Sequence, residues 1–143
     1  MSSNKFSEIR FAENTPYALT FMPAQAEPTR VLPAEVARLA RREMQNVVQM
    51  GTARRAANSI TLSDGTILPV GAKTGTGDNH QGDTVKSRTA TFVYTIDDRF
   101  FGCVTAFVDG PDAAKYHFTS GLTAQLFKAV IAPELTPLLD RSY

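Results

Sequence analysis

"RTATFVYTIDDRFFGCVTAFVDG", Arg88 to Gly110, is the stretch on which the fold turns. Ala90, Phe92, Tyr94 and Ile96 alternate with Thr89, Thr91, Val93 and Thr95, a period of two that puts one set on a buried face and the other on its reverse. Asp97-Asp98 then supplies a turn, and Phe100 to Val108 is a second run of aromatic and β-branched residues. Two adjacent strands of an antiparallel sheet follow from this pattern. Within the second run, Phe100, Phe101 and Phe107 read as core, and Cys103 reads as a small core residue.

Upstream lies "PVGAKTGTGDN", Pro69 to Asn79, in which a single lysine stands among glycines and threonines. Taken as a strand over Val70 to Thr76, it supplies a third member of the sheet. Before it, "ITLSDGTILPV" brackets an Asp64-Gly65 turn with short β-rich flanks, the signature of a small hairpin. Further back, "PAEVARLARREMQNVVQMG" starts with proline, carries Val36, Leu39, Ala40, Met44, Val47 and Val48 on one stripe, and stops at Gly51. That predicts an amphipathic helix from Pro33 to Met50. At the other end Ser120 can cap a helix with Leu122, Leu126, Phe127, Val130 and Ile131 on its inner side, ending near Pro133. The first thirty residues are the least patterned: Phe6, Ile9 and Phe11 keep no sustained period, and "TPYALTF", Thr15 to Phe21, reads as a short strand before the Pro23 to Pro28 loop. The expected class is α+β, an antiparallel sheet of at least three strands with a helix from each end packed on it.

At 143 residues the chain is long enough for one ordinary core and too short to argue for two, so residues 1–143 are expected to be a single domain or part of one. A formal charge of +1 gives no field to recruit nucleic acid or an anionic membrane. Arg38, Arg41, Arg42, Arg54 and Arg55 form the densest basic cluster, but Glu35 and Glu43 share the helix, and a solvated helix face is the simpler reading. With Cys103 as the only cysteine there is no internal disulfide, and His80 and His117 have no carboxylate or thiol at ligand spacing, so no metal and no cofactor are expected. The sequence shows no signal-peptide pattern and no apolar run of membrane-spanning length, which points to a soluble chain. Repeats and low-complexity tracts are absent.

The setting of Lys73 excludes two glycine-rich motifs. A phosphate loop needs glycine immediately before the lysine and again five residues earlier, where this sequence has Ala72 and Leu68. A dinucleotide fingerprint needs a helix opening after the glycines, and none follows Gly77. As a strand, the segment puts Lys73 and Gly75 on one face and Thr74 and Thr76 on the other. A ligand lying along it would meet a positive charge, two hydroxyls and a free backbone N–H, a set suited to a carboxylate beside a reacting carbonyl, such as a peptide C-terminus. The alternative at this point is a surface lysine on a glycine-rich turn.

Lys73-Thr74-Gly75 is also one of the three motifs of penicillin-binding proteins and serine β-lactamases. Together with "MQNVVQMGTA" before it, and the Phe92 to Val108 hairpin and closing helix after it, the chain from about Val31 onward resembles the C-terminal part of the transpeptidase domain of peptidoglycan glycosyltransferases. That resemblance implies a partial β-lactamase/transpeptidase-like fold and a serine acyl transfer. A serine attacks the D-Ala-D-Ala bond of a peptidoglycan stem peptide, the acyl-enzyme is passed to an amine of a neighbouring strand, and β-lactams block the reaction by acylating the same serine. It further implies that Lys73 supports the site and the substrate carboxylate, that Thr74 and Thr76 hydrogen-bond that carboxylate, that the Thr76 N–H forms half of the oxyanion hole, and that Gly75 gives clearance for a peptide or lactam added as a strand. The working protein would then act at the extracytoplasmic face of the bacterial inner membrane, in the periplasm.

The family also carries a Ser-x-x-Lys nucleophile motif and a Ser-x-Asn motif upstream of this strand. "SSNK", Ser2 to Lys5, satisfies both patterns literally, yet it sits at a terminus, uses one serine for two motifs, and leads into no helix before Pro16. The expectation is therefore a fragment that contributes the substrate-carboxylate strand, is inactive alone, and works with the missing N-terminal part of the domain. A non-catalytic ligand-binding or assembly module of the same fold, and part of a carboxypeptidase or β-lactamase, are the alternatives. The Phe100 to Val108 strand, in a hairpin carrying Phe101, Val104, Phe107 and Val108, would leave an unpaired edge and apolar surface, which predicts self-association unless the "TPYALTF" segment folds back over that edge and keeps the chain monomeric.

Overall fold

The computed structural model describes residues 8–22 and 29–141. They belong to two compact units, Met1–Pro33 and Ala34–Tyr143. The "SSNK" stretch lies outside the described residues.

In the first unit, β1 (Ile9–Phe11) pairs antiparallel with β2 (Leu19–Phe21), with Ile9 opposite Phe21 and Phe11 opposite Leu19. The strand expected over Thr15 to Phe21 is thus shortened to its last three residues. Thr15 spends both its N–H and its hydroxyl on the Ala12 carbonyl, at 3.2 and 2.7 Å, and its own oxygen accepts from the Tyr17 N–H at 3.2 Å. Such local bonds make a turn and take the backbone out of an extended conformation.

The second unit opens with α1 (Ala34–Met50). Only the second half of its apolar stripe meets the core: Val48 is buried and Val47 packs on the cluster, while Val36 and Leu39 remain exposed. The helix comes close to the sheet at Gly71, where a β-carbon would stand 3.1 Å from Met44 Cβ and 2.7 Å from Thr95 Oγ1. Glycine is needed there for the close approach. A 3-10 turn (Arg54–Ala56) follows, with Ala53 and Ala56 fully buried. The Asp64-Gly65 hairpin is present but minimal, held by one bridge, Thr61 to Ile67. Gly65 takes a φ of +86°, and Asp64 Oδ1 accepts the Thr66 N–H at 2.8 Å, which holds its carboxyl below the usual range.

Three strands, β3 (Val70–Gln81), β4 (Thr84–Ile96) and β5 (Phe100–Asp109), form an antiparallel sheet in the order β3-β4-β5. Val70 stands opposite Ile96, Ile96 opposite Phe100, and a bulge at Asn79/His80 shifts the far end of β3. The chain reverses between β4 and β5 through Asp97, at φ 50°, whose N–H is anchored on the Pro69 carbonyl at 2.8 Å. Ala90, Phe92, Tyr94 and Ile96 are buried as their alternation requires.

After β5 come a 3-10 segment (Gly110–Lys115), α2 (Ser120–Leu126), a π turn (Phe127–Ile131) and α3 (Ala132–Asp140). The cap of α2 is Thr119, not Ser120: its Oγ1 accepts the Gly121 N–H at 3.3 Å. Nor does the helix end at Pro133. The Ala132 N–H reaches back five residues to the Phe127 carbonyl, so Pro133 falls in the first turn of a new segment, where its missing N–H is tolerated. The inward face also differs from the expected stripe. Thr123, Ala124, Phe127, Ala132 and Leu139 are buried, whereas Leu122, Leu126 and Val130, expected inside, are exposed.

Phe127 drives this packing. Its ring lies 5.2 Å from Phe92 and 4.5 Å from Tyr94, centroid to centroid, on the helix-covered face of the sheet. Burial raises the Tyr94 phenol above its ordinary pKa, with a further push from Cys103. Beneath that ring is Gly102, directly opposite Tyr94, where a β-carbon would come within 2.5 Å of Cζ. Held by Phe127 from above, Tyr94 has no room to yield, so Gly102→Val is expected to cost about 1–3 kcal/mol through overpacking. Urea denaturation of the variant checks this, and wild-type stability would mean that the ring is free to move.

On the reverse face α1 approaches at Gly71, but the β5 side is exposed among the described residues of this unit. Phe101 and Phe107 are 47% and 58% exposed, and Cys103 is exposed beside them, which corrects the expectation that all three are core. They share a face with Val93 and Thr91, not with Phe92 and Tyr94.

Candidate functional site

The lysine segment is an edge strand. Because among the described residues β3 pairs only with β4 in the sheet order, alternate N–H and C=O groups on its outer side point away from the sheet. Val70 and Ala72 are buried beneath the helices, so period two carries Thr74 and Thr76 along the same face and turns Lys73 and Gly75 to the reverse. Lys73 stands opposite Val93 and is exposed, and Gly75 opens onto space, with nothing within 4 Å of where a β-carbon would sit.

Lys73, Thr74 and Thr76 nevertheless all make bonds along this strand. Lys73 curls along the strand, its Nζ donating to the Thr74 carbonyl at 2.6 Å. Thr74 Oγ1 lies 2.8 Å from Thr52 Oγ1, a hydroxyl placed just after α1. Thr76 Oγ1 accepts the Ser120 N–H at 3.0 Å, at the entrance to α2. A threonine hydroxyl has one hydrogen to donate and two lone pairs. With a lone pair of Thr76 taken by the helix, its O–H is oriented to donate elsewhere, and in the Thr52–Thr74 pair one hydrogen is likewise left over. An anion at this edge would meet hydroxyl donors and an ammonium group.

Further along β3 the polar residues are occupied by β4. Asp78 pairs with Arg88 at 3.1 Å directly across the strands, and Asn79 Nδ2 donates to Ser87 Oγ at 2.9 Å. They lie at the far end of the strand, held to β4. His80 and His117 are both exposed, and among the described residues no group of three His, Cys, Asp or Glu side chains could hold a metal ion.

Sequence reasoning singled out neither Thr52 nor the backbone of Ser120. It placed Arg55 in a solvated basic cluster, whereas its Nη1 donates to the Gly121 carbonyl at 3.2 Å and ties the segment after α1 to the start of α2. Arg38, Arg41 and Arg42 of the basic cluster pair with Glu35, Asp98 and Glu43 respectively. Among the described residues no helix is long and apolar enough to cross a membrane.

No protein-family model matches the chain, and no curated protein does. Among solved structures it is similar to the apo transpeptidase domain of penicillin-binding protein 3 from Burkholderia pseudomallei, with a TM-score of 0.50 and 23% identity over 92% of this chain. The likeness establishes a penicillin-binding-protein-like fold. The chain spans 38% of the length of that structure.

Proposed function

We propose that this chain supplies the Lys-Thr-Gly strand of a penicillin-binding D,D-transpeptidase, the element that receives the terminal carboxylate of a peptidoglycan stem peptide or the carboxylate of a β-lactam. In this role Lys73 provides the charge, Thr74 and Thr76 donate to the carboxylate, Gly75 leaves room, and the Thr76 N–H faces the developing oxyanion. The observation that carries the reading is the Ser120 N–H bond to Thr76 Oγ1, which leaves the Thr76 hydroxyl to donate at an open strand edge beside Lys73. The work would be done at the extracytoplasmic face of the bacterial inner membrane, together with a nucleophile-bearing remainder of the domain.

Titration of the isotope-labelled chain with an N-acyl-D-Ala-D-Ala peptide tests this. Amide shifts are expected at residues 73–76 and 120, and are expected to vanish in Thr76→Val. Shifts confined to other parts of the chain, or unaffected by the substitution, would return Lys73 to an ordinary surface lysine.

A second reading, a non-catalytic module of the same fold, is favoured by the serines. Ser59 Oγ donates to the Ala56 carbonyl, Ser63 Oγ to Asp140, and Ser87 Oγ accepts from Asn79. None of these bonds joins the hydroxyl to a lysine or histidine that could act as its base. Incubated with a fluorescent penicillin, the chain alone is expected to show no mass increase. A stoichiometric adduct on Ser2 would make the chain a self-sufficient acylating enzyme and remove the need for a remainder.

A further inference from the structure

The segment that follows α1 reaches β3 by two routes. Thr52 Oγ1 lies 2.8 Å from Thr74 Oγ1, and Arg55, farther along the same turn, donates from Nη1 to the Gly121 carbonyl at 3.2 Å. The residue before that carbonyl is Ser120, whose N–H reaches Thr76 Oγ1 at 3.0 Å. These contacts close a ring: β3 at Thr74, the turn after α1, the start of α2, and β3 again at Thr76.

The least supported member of the ring is the start of α2. Residues 116–119 before it form no helix or strand, and the end of a helix frays unless something holds it. Thr119 caps the helix from within, but its bond to the Gly121 N–H does not fix where the first turn stands against the sheet. Arg55 does. Gly121 has no side chain in the way, since a β-carbon there would stand 3.2 Å from Nη1, and a helical carbonyl keeps a second lone pair for such a donor.

We infer that Arg55 is a positioning residue for Thr76, acting through α2. By holding the Gly121 carbonyl it keeps the Ser120 N–H on Thr76 Oγ1, and so leaves the hydrogen of that hydroxyl to donate to a carboxylate at β3. Arg55 itself touches no ligand in this role. The role rests on the function proposed above for its ligand, while the ring is a property of the free chain.

Amide exchange at Ser120 in the full chain, without ligand, is the first measurement. Arg55→Met keeps the aliphatic stem and removes the donor. Ser120 is then expected to exchange about 3–10-fold faster, the weight of one net hydrogen bond, with the melting curve in place. Arg55→Lys, which can still supply a single donor, is expected to restore most of the protection. In Thr76→Val the acceptor is gone, so adding Arg55→Met is expected to change Ser120 no further. Arg54→Met, one residue earlier and also exposed, is expected to leave Ser120 as in wild type. Titration with the N-acyl-D-Ala-D-Ala peptide then reads the consequence, an affinity about 3–10-fold lower in Arg55→Met that Arg55→Lys recovers. Unchanged Ser120 exchange in Arg55→Met would overturn the inference, as would a peptide affinity equal to that of wild type. So would a faster exchange that is shared by Arg54→Met or persists in full on the Thr76→Val background, since that is general loosening of the helix. A wild-type chain whose residues 73–76 ignore the peptide overturns the function proposed above instead, and Ser120 exchange then decides the positioning role alone.

Discussion

Phe127→Ala is expected to destabilise the second unit by about 3–5 kcal/mol, the cost of emptying a large buried aromatic site. The side chain is fully buried and contacts Phe92 and Tyr94 at once. Its backbone belongs to the π turn, whose extra residue is what rotates α3 so that Ala132 and Leu139 also point inward. The facing residues cannot collapse into the void, because Phe92 and Tyr94 sit on the central strand and are fixed by ladder bonds on both sides. Val130→Ala, three residues on and half exposed, is expected to change stability by no more than about 0.5 kcal/mol. Urea denaturation of the pair gives the comparison. Equal losses would mean that the C-terminal helices do not dock through Phe127.

The same contrast shows what the sequence could and could not reveal. Over Thr89 to Ile96 of β4 only one parity is apolar, apart from Val93, so period two assigned the buried face correctly there. In β5 both parities are apolar: Phe100, Val104 and Val108 on one, Phe101, Cys103 and Phe107 on the other. Hydrophobicity alone cannot choose between them, and the choice is made by Tyr94, which needs Gly102 beneath it. The far end of the last helix was misread for a related reason. Proline normally stops a helix, but a π turn resets the hydrogen-bond ladder just before Pro133, and no residue pattern announces that reset. Three-residue strands such as β1 are too short to show any period. For the site, the alternation of Lys73, Thr74, Gly75 and Thr76 was legible because it depends only on strand geometry. The partners of the two threonines were not, since Thr52 and Ser120 are 22 and 44 residues away in the chain and meet them only once α1 and α2 pack on the sheet. The Asp64-Gly65 turn was legible because its chemistry is local.

Lys73→Ala should separate function from folding more sharply than any other substitution in β3. The side chain is exposed, and its bond to the Thr74 carbonyl is a solvent-accessible contact within its own strand, so its loss is expected to change stability by no more than about 0.5 kcal/mol. On the function proposed above, the same substitution in a complete acylating domain would remove the positive charge next to the bound carboxylate and the reacting carbonyl. A site covered by ligand excludes water and strengthens such an interaction; loss of one such preorganised group typically slows the chemical step about 10²–10³-fold. Second-order rate constants for acylation by a β-lactam, measured beside the melting curve of the same variant, give both quantities. Lys73→Arg distinguishes charge from position: a guanidinium keeps the charge but is too broad to follow the strand beside Gly75, so partial rescue is expected. Unchanged acylation in a well-folded Lys73→Ala variant would remove the lysine from the site, and with it the strand's claim to bind the carboxylate.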